Sequence, residues 1–248
     1  MEQIRIETHG RVALVRLKNG VTNAISPLLL DELIEATGTL KENYNGAVIA
    51  GGDKFFCIGL DLPALLAYNR EQMGLFWDRF DQAVLGLYSL PIPVAAAVNG
   101  HATAGGAIVA LTADYRFVGA GRKLIGLNEV NIGLPVPFLA DLMLRQVTGH
   151  RAATQMVYSG DLIQPDDALN TGLVDDILPG NRVETHALAH IAELARKPQP
   201  AFRIIKHNRI ESVQRQFAPQ RTAKRDELLD CWFQPAVQGM LARAAEKF

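Results

Sequence analysis

The run from Pro93 to Ala113, PVAAAVNGHATAGGAIVALTA, leaves this chain few ways to fold. A short apolar strand, Val94–Val98, enters Asn99-Gly100, and Gly105-Gly106 then opens an apolar helix that is read as starting near Thr103. The first amides of a helix lack partners inside it, and that end is electropositive, so it can receive developing negative charge. A second glycine-containing turn, Phe56-Cys57-Ile58-Gly59-Leu60-Asp61, follows another short apolar strand. Two such turns can supply the two backbone donors of an oxyanion hole. The plain alternative for Gly105-Gly106 is tight helix packing, and the pattern alone does not choose between them.

Strand and helix signals alternate through the first half. Residues 4–6 and 12–17 read as strands around the His9-Gly10 turn. Ser26-Pro27 is a helix start, serine as N-cap and proline in the first turn, followed by Leu29, Leu30, Leu33, Ile34 and Leu40 on one face. Residues 46–50 form a buried strand ending in Gly51-Gly52. Met73, Phe76, Trp77, Phe80, Val84 and Leu87 mark a long amphipathic helix, read as core. With a further strand at 115–118, the pattern implies a parallel or mixed α/β core. After about Leu139 the chain reads as helical, near 138–148, 151–158, 165–171 and 181–196. Lys197-Pro198-Gln199-Pro200 interrupts it, because proline stops helices. Terminal helices are expected over 201–216 and 220–247; the last carries Leu228, Leu229, Trp232, Val237, Met240 and Leu241, too apolar for a solvated tail.

The 248 residues suffice for a large core. Lys+Arg 25 against Asp+Glu 26 gives no long-range field to recruit nucleic acid or a membrane. Arg203, Lys206, His207 and Arg209 form a local basic cluster, readable as a binding patch or a solvated face. Two cysteines, Cys57 and Cys231, make neither a disulfide framework nor a zinc site, and no metal is expected. No apolar run approaches the roughly 20 residues that span a bilayer. The opening MEQIRIETHG alternates apolar and polar residues, unlike a signal or transit peptide, so a cytoplasmic protein is expected.

Six motifs, in order, resemble the crotonase, or enoyl-CoA hydratase/isomerase, superfamily. They are Asn23-Ala24, the 56–62 turn, Asn99 to Gly106, Gly126-Leu127-Asn128-Glu129, Gly149-His150-Arg151-Ala152-Ala153 and Gly172-Leu173-Val174-Asp175. The resemblance implies a spiral of β-β-α repeats, with a core over 1–196 and a helical region over 197–248 that mediates trimerisation. It implies a homotrimer or a dimer of trimers, an acyl-CoA thioester substrate, and no permanently bound cofactor, coenzyme A being part of the substrate. Carried over position by position, it makes the amides of Leu60 and Gly105 the oxyanion hole and Glu129 the catalytic carboxylate. Hydratases of this family use a second glutamate three residues after the hole glycine, and Ile108 stands there.

One carboxylate over an apolar floor suits a double-bond shift from C3–C4 to C2–C3, in which the same group removes and returns a proton. Addition of water needs two positioned groups. Gly133-Leu134-Pro135-Val136-Pro137-Phe138 replaces the glycine-rich run of the hydratases, and with residues 125–129 it looks like the mitochondrial-type Δ3,Δ2-enoyl-CoA isomerases. Ile108 and Phe138 are expected in the acyl pocket, Phe138 being equally readable as core. A base at Glu129 should have its pKa raised by burial. Asn128 reads as a helix cap, Asp61 as structural, and His101 as a satisfied hydrogen-bonder; Asp161 has no motif support. Lys54 and residues 203–209 are candidates for the coenzyme A end. Other acyl-CoA reactions (hydration, decarboxylation, carbon–carbon hydrolysis) and a non-catalytic scaffold or RNA-binding role for 203–209 are the alternatives.

Overall fold

The computed structural model describes residues 1–246. Two strands, β1 (Ile4–His9) and β2 (Val12–Leu17), pair antiparallel and lead into helix α1 (Pro27–Asn43). Then one unit recurs. A strand of a large sheet is followed by a strand of a small sheet, and then by helical structure. The first turn is β3 (Gly46–Ala50), β4 (Phe55–Cys57), α2 (Leu62–Leu65) and α3 (Arg70–Tyr88). The second is β5 (Val94–Val98), β6 (His101–Thr103) and α4 (Gly105–Leu111). The third is β7 (Tyr115–Gly119), β8 (Ile125–Gly126), a 3₁₀ turn at Glu129–Ile132, and α5 (Phe138–Ser159). Helix α6 (Pro165–Asn170), strand β9 (Asp176–Leu178) and helices α7 (Val183–Ala195), α8 (Gln199–Phe217), α9 (Arg221–Trp232) and α10 (Pro235–Ala245) complete the chain. The large sheet has the order β1-β2-β3-β5-β7-β9, parallel from β2 onward; the small one is β4-β6-β8, also parallel. This is the expected β-β-α spiral.

Side chains alternate across a strand, so each strand of the large sheet serves two cores. Val12, Leu14, Val48, Ala95, Ala97 and Phe117 face α7, which covers that side with Val183, Ala187 and Ile191. Ala13, Val15, Leu17, Ala47, Ile49 and Ala96 face the larger core, which α1, α3, α4 and α5 enclose and to which α9 and α10 add Leu228, Trp232 and Leu241. The helix starts follow the chemistry of the sequence. Ser26 Oγ accepts from the Leu29 amide at 3.1 Å. Asn69 and Gln72 form a capping box at the head of α3, 2.9 Å in each direction.

Several expectations need adjustment. α4 begins at Gly105, not near Thr103, because 101–103 pair as β6 between β4 and β8. The helices expected at 138–148 and 151–158 run on as α5, with a single non-helical residue at Gly149, φ 79°. The stretch expected as one helix over 220–247 is two, since Pro235 has no amide to continue α9 and instead starts α10; position 247, like the last residue of the 197–248 region, lies outside the described residues. β9 was not anticipated.

Candidate active site

The two glycine turns abut. Asn23, at φ 50°, buries its side chain and donates from Nδ2 to the Phe56 carbonyl at 3.1 Å, while its Oδ1 accepts from the Asn19 amide at 2.9 Å. This ties the first turn to the segment before α1. Ile25 then bridges Leu60 in parallel fashion: the Ile25 amide donates to the Gly59 carbonyl at 2.7 Å, and the Asp61 amide donates to the Ile25 carbonyl at 3.1 Å. In such a bridge the flanking residues make the bonds, so the Leu60 amide points the other way. Gly59 sits at φ 102°, which only glycine adopts without strain. A Cβ built there would lie 3.1 Å from the Gly105 nitrogen, and one on Gly105 would lie 3.2 Å from the Gly59 Cα. Leu60 and Gly105 are thus neighbours in space, and both line the same cavity.

Close packing accounts for both glycines. A Cβ on Gly106 would stand 1.9 Å from the Cys57 carbonyl oxygen and one on Gly105 2.9 Å from Ile25 Cδ1, and Gly105 also lines the cavity. Ala104 is held at φ 49°, ψ −122°, an unusual conformation for a residue with a Cβ. Its amide donates to the Gly126 carbonyl at 2.9 Å, and Thr103 Oγ1 donates to the Ile58 carbonyl at 3.1 Å, which locks the turn against both neighbouring strands. α4 is only seven residues long, so no long helix dipole acts at this corner.

The cavity is about 140 Å³. Glu129 enters it from the 3₁₀ turn, and among the described residues it is the one acidic or basic side chain in the lining. The turn is fixed by the Leu134 amide donating to the Glu129 carbonyl at 3.0 Å and by Asn131 Nδ2 donating to the Gly160 carbonyl at 2.8 Å. Glu129 is 6% exposed, its Oε2 is buried without a hydrogen-bond partner, and burial pushes its carboxyl up to about 7. That is the expected direction and cause. Ile108 lines the cavity as expected, from one turn into α4.

Other candidates sort differently. Phe138 is outside the lining: Pro137 takes that place, and Phe138 turns toward Phe217, ring centroids 6.4 Å apart, with Lys224 Nζ 5.8 Å from its ring. Asn128 makes no side-chain capping bond and instead lines the cavity. His101 Nδ1 accepts from the Leu124 amide at 2.8 Å, and Asp61 caps α2 through the Ala64 amide at 3.3 Å. Lys206 does not belong to a surface basic patch: it is buried, donating to the Ile92 carbonyl at 2.8 Å and to Asp114 at 2.7 Å. Lys54 lies over Phe55, 5.2 Å from its ring centroid.

The sequence reading missed the outer walls. Trp77 and Phe80 of α3, Leu228 of α9 and Ala244 of α10 all line the cavity. Trp77 and Phe80 were legible only as an apolar helical face. Among the described residues no helix is long and apolar enough to cross a membrane, and no group of three or more His, Cys, Asp or Glu side chains could hold a metal ion.

Comparison with known proteins agrees with this fold. The family model described as enoyl-CoA hydratase/isomerase matches residues 7–247. Human mitochondrial enoyl-CoA delta isomerase 1 is 32% identical over 216 residues, covering 86% of this chain and 72% of the relative; the mouse protein is 29% identical over 231 residues, covering 90% and 79%. The crystal structure of human mitochondrial delta3-delta2-enoyl-CoA isomerase superposes with a TM-score of 0.94 at 29% identity, over 99% of this chain and 97% of that one. An enoyl-CoA hydratase from Bacillus anthracis superposes with a TM-score of 0.79 at 25% identity, over 92% and 89%. The paired glycine turns, the spiral that brings them together and these matches lead to one conclusion: the chain belongs to the enoyl-CoA hydratase/isomerase family.

Proposed function

We propose that the protein shifts the double bond of a 3-enoyl-CoA to the 2-enoyl position, with Glu129 as the single proton carrier. The observation that carries this reading is the cavity lining, in which Glu129 is accompanied by no second acid or base among the described residues. The thioester oxygen is held by the Leu60 and Gly105 amides. The Glu129 carboxylate removes a proton from C2, and the electron pair moves into the carbonyl to give a dienolate. The two N–H donors stabilise the oxyanion; loss of one such donor costs about 3–4 kcal/mol. The Glu129 carboxylic acid then delivers the proton to C4, the double bond settles between C2 and C3, and the carboxylate is regenerated. A carboxyl near pH 7 suits both transfers. Ile108 offers nothing to anchor a water for hydration.

The assay is conversion of 3-hexenoyl-CoA followed by the absorbance of the conjugated product, with 2-hexenoyl-CoA assayed for hydration in parallel. Glu129→Gln should lower isomerisation at least about a hundredfold while retaining the fold and ligand binding. Full activity in that variant removes Glu129 from the mechanism, and hydration by the unaltered protein near the isomerisation rate replaces the isomerase reading with a hydratase. Assembly as a trimer or a dimer of trimers belongs to the same proposal. Ile204 and Ile205 of α8, both more than half exposed, are an apolar pair that a second copy would cover, and sedimentation analysis tests this.

A further inference from the structure

The candidate site is separated from a second, smaller void by a thin wall. The chamber of about 140 Å³ and a neighbour of about 20 Å³ share Trp77, Pro137 and Leu228. These residues come from α3, the segment before α5, and α9. Trp77 is 5% exposed and wedged edge-on between two rings: Phe76 at 5.9 Å and 78°, and Phe80 at 5.0 Å and 70°. Such a ring has little freedom to swing aside. Behind the wall the lining adds charge: beside Phe138 and Phe217 stand Asp81, Arg221, Lys224 and Arg225. Arg221 Nε lies 3.4 Å from Asp81, and Arg225 pairs with Asp78 at 2.7 Å. A hydrocarbon tail pushed through would strip solvent from these charges and separate their pairs, which is unfavourable.

The chamber's size sets a scale. An apolar cavity of about 150 Å³ holds one benzene, roughly six carbon atoms. The present chamber includes the space beside Leu60, Gly105 and Glu129, so the reacting carbons occupy part of it. We infer that the protein is selective for short acyl chains, of about six carbons, and that Trp77 is the side chain that ends the acyl pocket. This rests on the acyl-CoA reading above and names its substrate class.

The test is a ladder of saturated acyl-CoAs, butanoyl to dodecanoyl, titrated calorimetrically into the unaltered protein and into Trp77→Leu. Each methylene that enters an apolar pocket should tighten binding about fourfold, the ~0.8 kcal/mol of a buried CH₂. In the unaltered protein the gain should stop near six carbons; in Trp77→Leu it should continue for about two carbons more, at the same increment. Affinity climbing evenly to dodecanoyl-CoA, a break at the same length in both proteins, or no binding of any acyl-CoA overturns the inference. If Trp77→Leu does not fold, Leu228→Ala opens the same wall from α9, and the ladder on the unaltered protein still decides the length limit. Saturated chains cannot be isomerised, so the two readings fail separately. A sharp length limit without turnover of 3-hexenoyl-CoA sinks the isomerase, and turnover without a limit sinks the role of Trp77.

Discussion

Replacing Glu129 with glutamine should silence the protein and, above neutral pH, make it more stable. The argument is one of linkage. Burial raises the folded-state pKa of Glu129 from an ordinary 4.5 to about 7. Below pH 4.5 the carboxyl is protonated in both folded and unfolded chains and has no effect on stability. Between 4.5 and 7 the unfolded chain releases the proton while the folded one keeps it, so stability falls as pH rises; above 7 the loss is complete. Each tenfold difference in proton affinity is worth about 1.4 kcal/mol, so the full effect is about 3 kcal/mol. Asp81, which burial also raises to about 7, adds the same kind of slope, but to both proteins, and it cancels in their difference. The measurement is urea unfolding of both proteins at several values from pH 5 to pH 8, checked for equal dependence on urea. The gap in favour of Glu129→Gln should widen by about 2–3 kcal/mol across that range. Parallel pH profiles would mean that Glu129 is solvated in the folded state, and both the raised pKa and the dry site would have to be abandoned.

Three further outcomes are expected. The pH profile of kcat/KM for 3-hexenoyl-CoA should rise about tenfold per pH unit and level off above about 7, because the carboxylate is the working form; a profile flat from pH 5 to 8 contradicts this. Gly106→Ala should be destabilised by more than about 3 kcal/mol, since its Cβ would lie 1.9 Å from the Cys57 carbonyl oxygen, and thermal unfolding measures it; an unchanged Tm means the two turns are not in contact. Ile108→Glu should bring detectable hydration of 2-hexenoyl-CoA together with lower stability from a newly buried carboxylate, and a variant that folds and isomerises without hydrating would show that the residue at 108 does not divide the two reactions.

What the sequence disclosed follows physical lines. The two turns were legible because glycines enforce them: Gly59 by its φ of 102°, Gly106 by its contact with Cys57. Ser26-Pro27 announced a helix start and Pro198 a break through local chemistry, and the same logic applies to Pro235, where the break between α9 and α10 was overlooked. β6 and β8, two or three residues each, are too short for an alternation to show. Glu129 as a buried carboxylate was reached through resemblance, since a lone glutamate at a turn carries no sign of its own burial. Trp77 and Phe80 obey the spacing of any core helix, and nothing local tells a face that meets a chamber from one that meets packed side chains. Leu228 and Ala244 reach the site from more than a hundred residues away along the chain from Gly105, a proximity only tertiary structure creates. Phe138, readable equally as pocket wall or core, packs against the core one position past the lining, because the direction of a side chain at a helix start depends on backbone angles that its identity does not encode.

The placement of Ala244 on α10 has a consequence for how the protein is made and lost. A ribosome synthesises the spiral long before it reaches this helix, so the nascent chain builds its glycine turns and carboxylate first and acquires the far wall of the chamber last. A protease that clips the tail would take away that wall together with Val237 and Leu241, the side chains by which α10 is anchored in the main core.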